Sequence, residues 1–126
     1  MSEAVLDSSA LLALLFDEPG AERVAAVLPG AVISAVNLAE VATKLQDRGL
    51  DEAAARAAVG ATGVRVVSFS DTLAWTATRL RASTREAALS LGDRACLALA
   101  IERGASAYTA DQAWARAGVP GVVLIR

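Results

Sequence analysis

Five acidic residues stand where an α/β chain would display reactive groups. Asp7 directly follows the apolar pair Val5-Leu6, Asp71 follows the run Val64 to Phe69, and Asp111 follows Ser106 to Ala110, while Glu40 and Asp93 lie within helix-like segments. In an open α/β sheet, reacting groups gather outside the carboxyl ends of the strands, near the point where strand order reverses. Carboxylates collected there repel one another, by roughly 3 kcal/mol for a pair about 5 Å apart at an effective dielectric of about 20. They must share protons or bind a cation. The chain has no histidine and a single cysteine, Cys96, which excludes histidine-based triads, imidazole zinc sites, multi-cysteine clusters and internal disulfides. The cation would therefore be hard and oxygen-ligated, Mg²⁺ or Mn²⁺ or else Ca²⁺, and an acidic Mg²⁺ site on a sheet edge points to phosphate chemistry.

Each acid also has a local explanation. Asp7, Asp71 and Asp111 all precede helical segments, and Asp is a favoured N-cap. Asp93 forms Ser90-x-x-Asp93, close to a capping box. Helical spacing nevertheless puts Asp93 on the face of Cys96, Leu97, Ala100 and Ile101, where a charge is costly unless something compensates it. Glu40 shares a stripe with Asn37, Lys44 and Asp47, and its i,i+4 spacing to Lys44 reads by itself as a solvated face.

The elements that must position these residues follow from composition and pattern. With 126 residues, 55% hydrophobic and 21% charged, the chain has the profile of one compact domain spanning residues 1–126. Short apolar runs alternate with helical segments, the signature of a parallel α/β sheet. Strands are expected at Val5-Leu6, Ala31 to Ser34, Val64 to Phe69, Ser106 to Ala110 and Val122 to Ile125. Helices are expected from Ser8 or Ser9 to Phe16, Ala21 to Leu28, Ala35 to about Arg48, Asp51 to Val59, Ser70-Asp71 to about Ala82, and Leu91 to Arg103, with a short one around Trp114. The region Ser83 to Leu89 is ambiguous. The segment Ala10 to Phe16 is apolar on every face, so it must be covered on several sides. It is no signal peptide, since Glu3 and Asp7 precede it, and seven residues cannot span a bilayer. A soluble cytoplasmic protein is expected. The net charge of -2, with Lys44 the only lysine against eleven arginines, offers no global attraction to nucleic acid or to anionic membranes.

Four blocks of this sequence resemble the motifs of PIN domains, specifically VapC-type toxins of bacterial toxin-antitoxin pairs: Val5-Leu-Asp-Ser-Ser-Ala-Leu-Leu12, Ser34-Ala-Val-Asn-Leu-Ala-Glu-Val41, Leu89-Ser-Leu-Gly-Asp-Arg-Ala-Cys-Leu-Ala-Leu-Ala100 and Tyr108-Thr-Ala-Asp111. The third block is highly specific, and the four span the chain in the right order. The resemblance implies a three-layer α/β/α sandwich whose parallel sheet has strand order 3-2-1-4-5, with Asp7, Glu40, Asp93 and Asp111 as the catalytic, metal-holding acids. Glu40 thereby moves from a solvated face into the site, and Asp71, on an edge strand, reverts to a cap. Ser8, Ser9 and Thr109 match small polar support positions. Arg94, beside Asp93, reads equally as an RNA phosphate contact and as an ordinary solvated arginine. The implied activity is an Mg²⁺-dependent endoribonuclease, with Mn²⁺ as substitute, leaving 5′-phosphate and 3′-hydroxyl ends. The implied partners are RNA, a cognate antitoxin and a second copy of the chain.

Three other readings differ at particular residues. A phosphoacceptor receiver domain needs a lysine at the end of a late strand, whereas Lys44 lies inside a helix. A haloacid-dehalogenase-type phosphatase needs Asp two residues after Asp7, where Ser9 stands. A silent PIN-like binding module is opposed by the intact acids. The hydrophobic excess, with the apolar helix beginning three residues after Asp7, further predicts a partner that covers helical surface beside the acids and reaches a basic side chain, arginine above all, toward them.

Overall fold

The computed structural model describes residues 3–126. Five short strands, β1 (Ala4–Leu6), β2 (Val32–Ser34), β3 (Arg65–Val67), β4 (Ser106–Thr109) and β5 (Val122–Leu124), form one sheet in the order β3-β2-β1-β4-β5. Every pairing is parallel. Parallel neighbours need crossover connections. Six helices lie in those that precede β4, α1 (Ser8–Leu15), α2 (Ala21–Val27), α3 (Ala35–Asp47), α4 (Glu52–Ala61), α5 (Asp71–Ser83) and α6 (Leu91–Arg103), and the 3-10 turn Gln112–Arg116 lies in the one from β4 to β5.

The two faces of the sheet are covered by different helices because side chains alternate along each strand. Val5, Val32 and Ala107 enter one apolar cluster with Leu73, Ala77, Leu97 and Trp114, from α5, α6 and the 3-10 turn Gln112–Arg116. Ala4, Leu6 and Ile33 enter the other, with Leu11, Val24, Val41, Leu45 and Val59 from α1 to α4. The register pairs Val5 with both Val32 and Ala107, so like-facing residues of the central strands stack in one layer. The result is the three-layer sandwich expected from the resemblance.

Local chemistry sets the boundaries. Helix α1 is covered as its composition requires, with Ala10, Leu11 and Ala13 fully buried and Leu12, Leu14, Leu15 and Phe16 packed against the same core. Its N-cap is Asp7 rather than either serine, because the residue with extended backbone is the one that leaves the strand. At α5 the reverse holds. Ser70 caps the helix, its Oγ accepting from the Leu73 amide at 3.2 Å, while Asp71 is the first helical residue. The ambiguous stretch resolves into a 3-10 turn, Arg85–Ala87, followed by Ala88 in the left-handed region at φ 55°. Strand β3 is shorter than its apolar run, and two of its three residues are exposed, as befits an edge.

Candidate active site

Strand order reverses between β1 and β4, and the carboxyl ends of these two strands carry Asp7 and Asp111. Asp7 is 3% exposed. Its Oδ2 accepts from Ser9 Oγ at 2.6 Å and Thr109 Oγ1 at 3.0 Å. Both hydroxyls also tie β1 to the chain leaving β4: Ser9 Oγ accepts from the Ala110 amide at 2.9 Å, and Thr109 Oγ1 accepts from the Asp111 amide at 3.1 Å. One network thus sets the spacing of two acids that lie about a hundred residues apart in sequence. Asp7 Oδ1 is buried and has no hydrogen-bond partner among the described residues.

The other acids follow the same division of labour. Asp93 completes the capping box of α6, its Oδ2 accepting from the Ser90 amide at 2.9 Å while Ser90 Oγ accepts from the Asp93 amide at 3.2 Å. Asp111 caps the turn after β4, its Oδ1 accepting from the Ala113 amide at 2.9 Å. Glu40 Oε1 accepts from Asn37 Nδ2 at 3.0 Å, so its anchor is the residue three positions earlier and not Lys44. In each of the four, one carboxylate oxygen is held by the protein, and the other accepts no hydrogen bond among the described residues. Capping and metal ligation, alternatives when read from sequence, are compatible in this geometry because a carboxylate has two oxygens.

The acids also feel one another. Burial, first of all, pushes the Asp7 carboxyl up to about 6; the Ser9 and Thr109 hydroxyls pull it down, and the charges of Asp93 and Glu40 raise it further. Asp93 is likewise raised, by burial ahead of the Asp111 and Glu40 charges and against the hydrogen bonds of Ser90. The buried Cys96 thiol is pushed up by burial and by the charges of Asp7, Asp93 and Glu40, which places it beneath the cluster. Among the described residues, no three acidic or thiol side chains close into a ready-made metal cage. Each carboxylate rests where its own hydrogen bonds hold it. The donor set nonetheless fits a hard divalent cation: carboxylate oxygens only, one unpartnered and buried, and mutually repelling charges that a cation would relieve.

The remaining expected residues divide. Ser9 and Thr109 orient Asp7, whereas Ser8 lines a cavity of about 460 Å³ between α1 and α3, together with Leu12, Val36, Glu40, Thr43 and Lys44. Arg94 donates from Nη1 to the Ala77 carbonyl at 2.9 Å, so one nitrogen of its guanidinium is committed to α5. Asp71 lies at the start of α5, its Oδ1 accepting from the Thr72 amide. Sequence reasoning passed over Asn37 as a member of a polar stripe, yet it is completely buried. It also passed over Gly92, where a Cβ would stand 2.8 Å from Glu40 Cδ. The available signal was a glycine immediately before an acid in the first turn of a helix whose middle, Ala95 to Ile101, is wholly apolar.

A parallel five-strand sheet in this order, with acids gathered at its carboxyl edge, defines the architectural class. The PIN domain family profile matches residues 4–120, and the chain belongs to that family. No curated protein matches it significantly. Among solved structures it is similar to VapC20 of Mycobacterium tuberculosis, a sarcin-ricin loop cleaving toxin, at 27% identity and a TM-score of 0.75 over 94% of this chain and 98% of that one. A toxin-antitoxin complex from Klebsiella pneumoniae shares the fold at 23% identity and a TM-score of 0.75, over 98% of both chains. DNA-bound VapBC from Salmonella typhimurium shares it at 18% identity and a TM-score of 0.74, over the full length of both. No helix among the described residues is long and apolar enough to cross a membrane.

Proposed function

We propose that residues 1–126 act as one PIN domain, a divalent-metal-dependent endoribonuclease serving as the toxin of a toxin-antitoxin pair, with Asp7, Glu40, Asp93 and Asp111 holding the metal. The observation that carries this reading is Asp7. It is a buried carboxylate at the end of the central strand of a PIN-domain chain, with one oxygen locked by two hydroxyls and the other unpartnered. Bound Mg²⁺ or Mn²⁺ supplies a water of lowered pKa and positive charge for the negative charge that develops on the scissile phosphate. The chain supplies the geometry. Ser9 and Thr109 orient Asp7 and Asp111 together, Ser90 turns Asp93 so that Oδ1 stays free, and buried Cys96, near enough to feel the charges of Asp7, Asp93 and Glu40, gives the acids an apolar floor.

With a net charge of -2 and one lysine, selectivity on this reading comes from the shape or exposed bases of the RNA rather than from broad electrostatic grip. A cognate antitoxin is the expected regulator, and similarity to a toxin-antitoxin complex supports it. The cavity between α1 and α3, which reaches Glu40, offers apolar surface beside the acids, and an arginine fork would compete there with metal. A cytoplasmic homodimer is the assembly this reading expects. The test is to incubate the purified, antitoxin-free chain with cellular RNA in Mg²⁺ or Mn²⁺, and then with chelator. Cleavage should require metal, and equal cutting in chelator would sink the mechanism. Co-expression of an adjacent small gene should yield a complex with suppressed cleavage.

A further inference from the structure

Glu40 is the carboxylate least secured by its own surroundings, an exposed residue on α3 whose charge still raises both Asp7 and Asp93. What holds it is Asn37. That side chain is 0% exposed, and its Nδ2 donates to Glu40 Oε1 at 3.0 Å and to the Gly92 carbonyl at 3.0 Å. An amide nitrogen carries two hydrogens, and here both bridge two helices. Gly92 immediately precedes Asp93, so one side chain joins the turn that carries Glu40 to the turn that carries Asp93. The packing is equally specific. A methyl group at Gly92 would overlap Glu40 Oε2 and lie 2.8 Å from its Cδ, so the carboxylate lies against bare backbone of α6. Asn37 Oδ1 is buried without a partner among the described residues, a burden that an apolar residue would not carry if the position served packing alone.

We infer that Asn37 is a positioning residue that, with the open backbone at Gly92, holds Glu40 Oε1 so that Oε2 faces the metal-binding edge beside Asp93. The inference rests on the nuclease reading above and adds a residue whose action runs through Glu40. Its test is a double-mutant cycle on Mn²⁺ affinity, measured calorimetrically on the purified full chain, with unfolding in chelator followed in parallel. Asn37→Ala should weaken Mn²⁺ binding by about 10- to 100-fold, the range seen when a ligand loses its orienting partner. In the Glu40→Gln background the same substitution should have almost no further effect, because coupled residues are not additive. An equal loss in both backgrounds would assign Asn37 to packing alone, and no loss in either would also overturn the inference. Should Asn37→Ala fold poorly, Asn37→Ser retains a hydroxyl donor and Gly92→Ala displaces Glu40 with Asn37 intact. Each should weaken Mn²⁺ only while Glu40 is present. A parent chain that neither binds Mn²⁺ nor cleaves RNA would remove the nuclease reading and this assignment with it, whereas an active parent with additive variants would remove this assignment alone.

Discussion

Replacing Asp7 by Asn separates the electrostatic role of the site from its structural one, because the amide keeps the shape and Asn caps a helix as well as Asp. The native carboxyl titrates near 6 against an ordinary 3.8. Below about pH 4 the group is protonated in both states and contributes no difference. Between about 4 and 6 the unfolded chain ionises while the native state keeps its proton, so stability falls as pH rises. Above 6 the full cost is present, about 2 pKa units or roughly 3 kcal/mol. The substitution removes that cost, but it leaves an amide NH₂ in place of the unpartnered Oδ1, at about 1–3 kcal/mol. The variant should therefore be less stable than the parent at pH 4 and equal or more stable at pH 7.5. The amide penalty is common to both conditions, so the swing between them is about 3 kcal/mol, or about 10 °C in Tm for a domain of this size. Urea unfolding in chelator across this pH range measures it directly. A stability difference that does not change with pH would refute the argument, since only the amide penalty would then remain. Saturating Mg²⁺, at about 100 times its Kd, should raise the parent by about 2.7 kcal/mol and leave the variant unmoved.

Asp93→Asn and Asp111→Asn keep their capping oxygens but lose ligand charge. Each should lower cleavage by at least about 100-fold, equivalent to about 2.7 kcal/mol of transition-state stabilisation, while Asp71→Asn in the same assay stays at parental activity. Ser9→Ala strands the Ala110 amide and removes one donor to Asp7. It should cost about 1–3 kcal/mol in unfolding experiments and move the acid limb of the pH–rate profile upward. Cys96, buried with its thiol pushed up by burial and by Asp7, should react with a disulfide reagent at pH 8 only as fast as the domain opens, a rate that urea accelerates. Gly20→Ala should destabilise by about 1 kcal/mol or more in thermal melts, since Gly20 sits at φ 96° with the Ile125 carbonyl 2.7 Å from where a Cβ would stand.

The order of elements was legible in the residues because each carries its own local chemistry. The capping box at Ser90 and the glycine that ends α6 at Gly104 lie within about fifteen residues of each other, and each step in the alternation of short apolar runs with longer helical segments is equally local. Parallel pairing follows from the same pattern, because helical segments rather than tight turns separate most successive strands. Strand order was not legible locally. It came from resemblance to a family, since nothing in Val32 to Ser34 states whether that strand lies beside β1 or elsewhere.

The candidate site divides along the same line. Composition alone determined that any metal chemistry here uses carboxylates, because a chain with no histidine and one cysteine has neither imidazoles nor thiolates in quantity. Spacing alone placed Asp7 and Asp111 just after strands and left capping as an equal explanation. Only the folded chain shows that one oxygen of each caps or is clamped while the other is free, because that depends on which hydroxyl or amide arrives from a distant segment. Glu40 is the sharpest case. By sequence it belongs with Lys44, four residues on, but it is drawn instead to Asn37 and to the bare backbone of Gly92, more than fifty residues away. Helix periodicity reports which residues share a face, whereas what lies opposite that face is decided by how α3 packs on α6, and no local pattern encodes that.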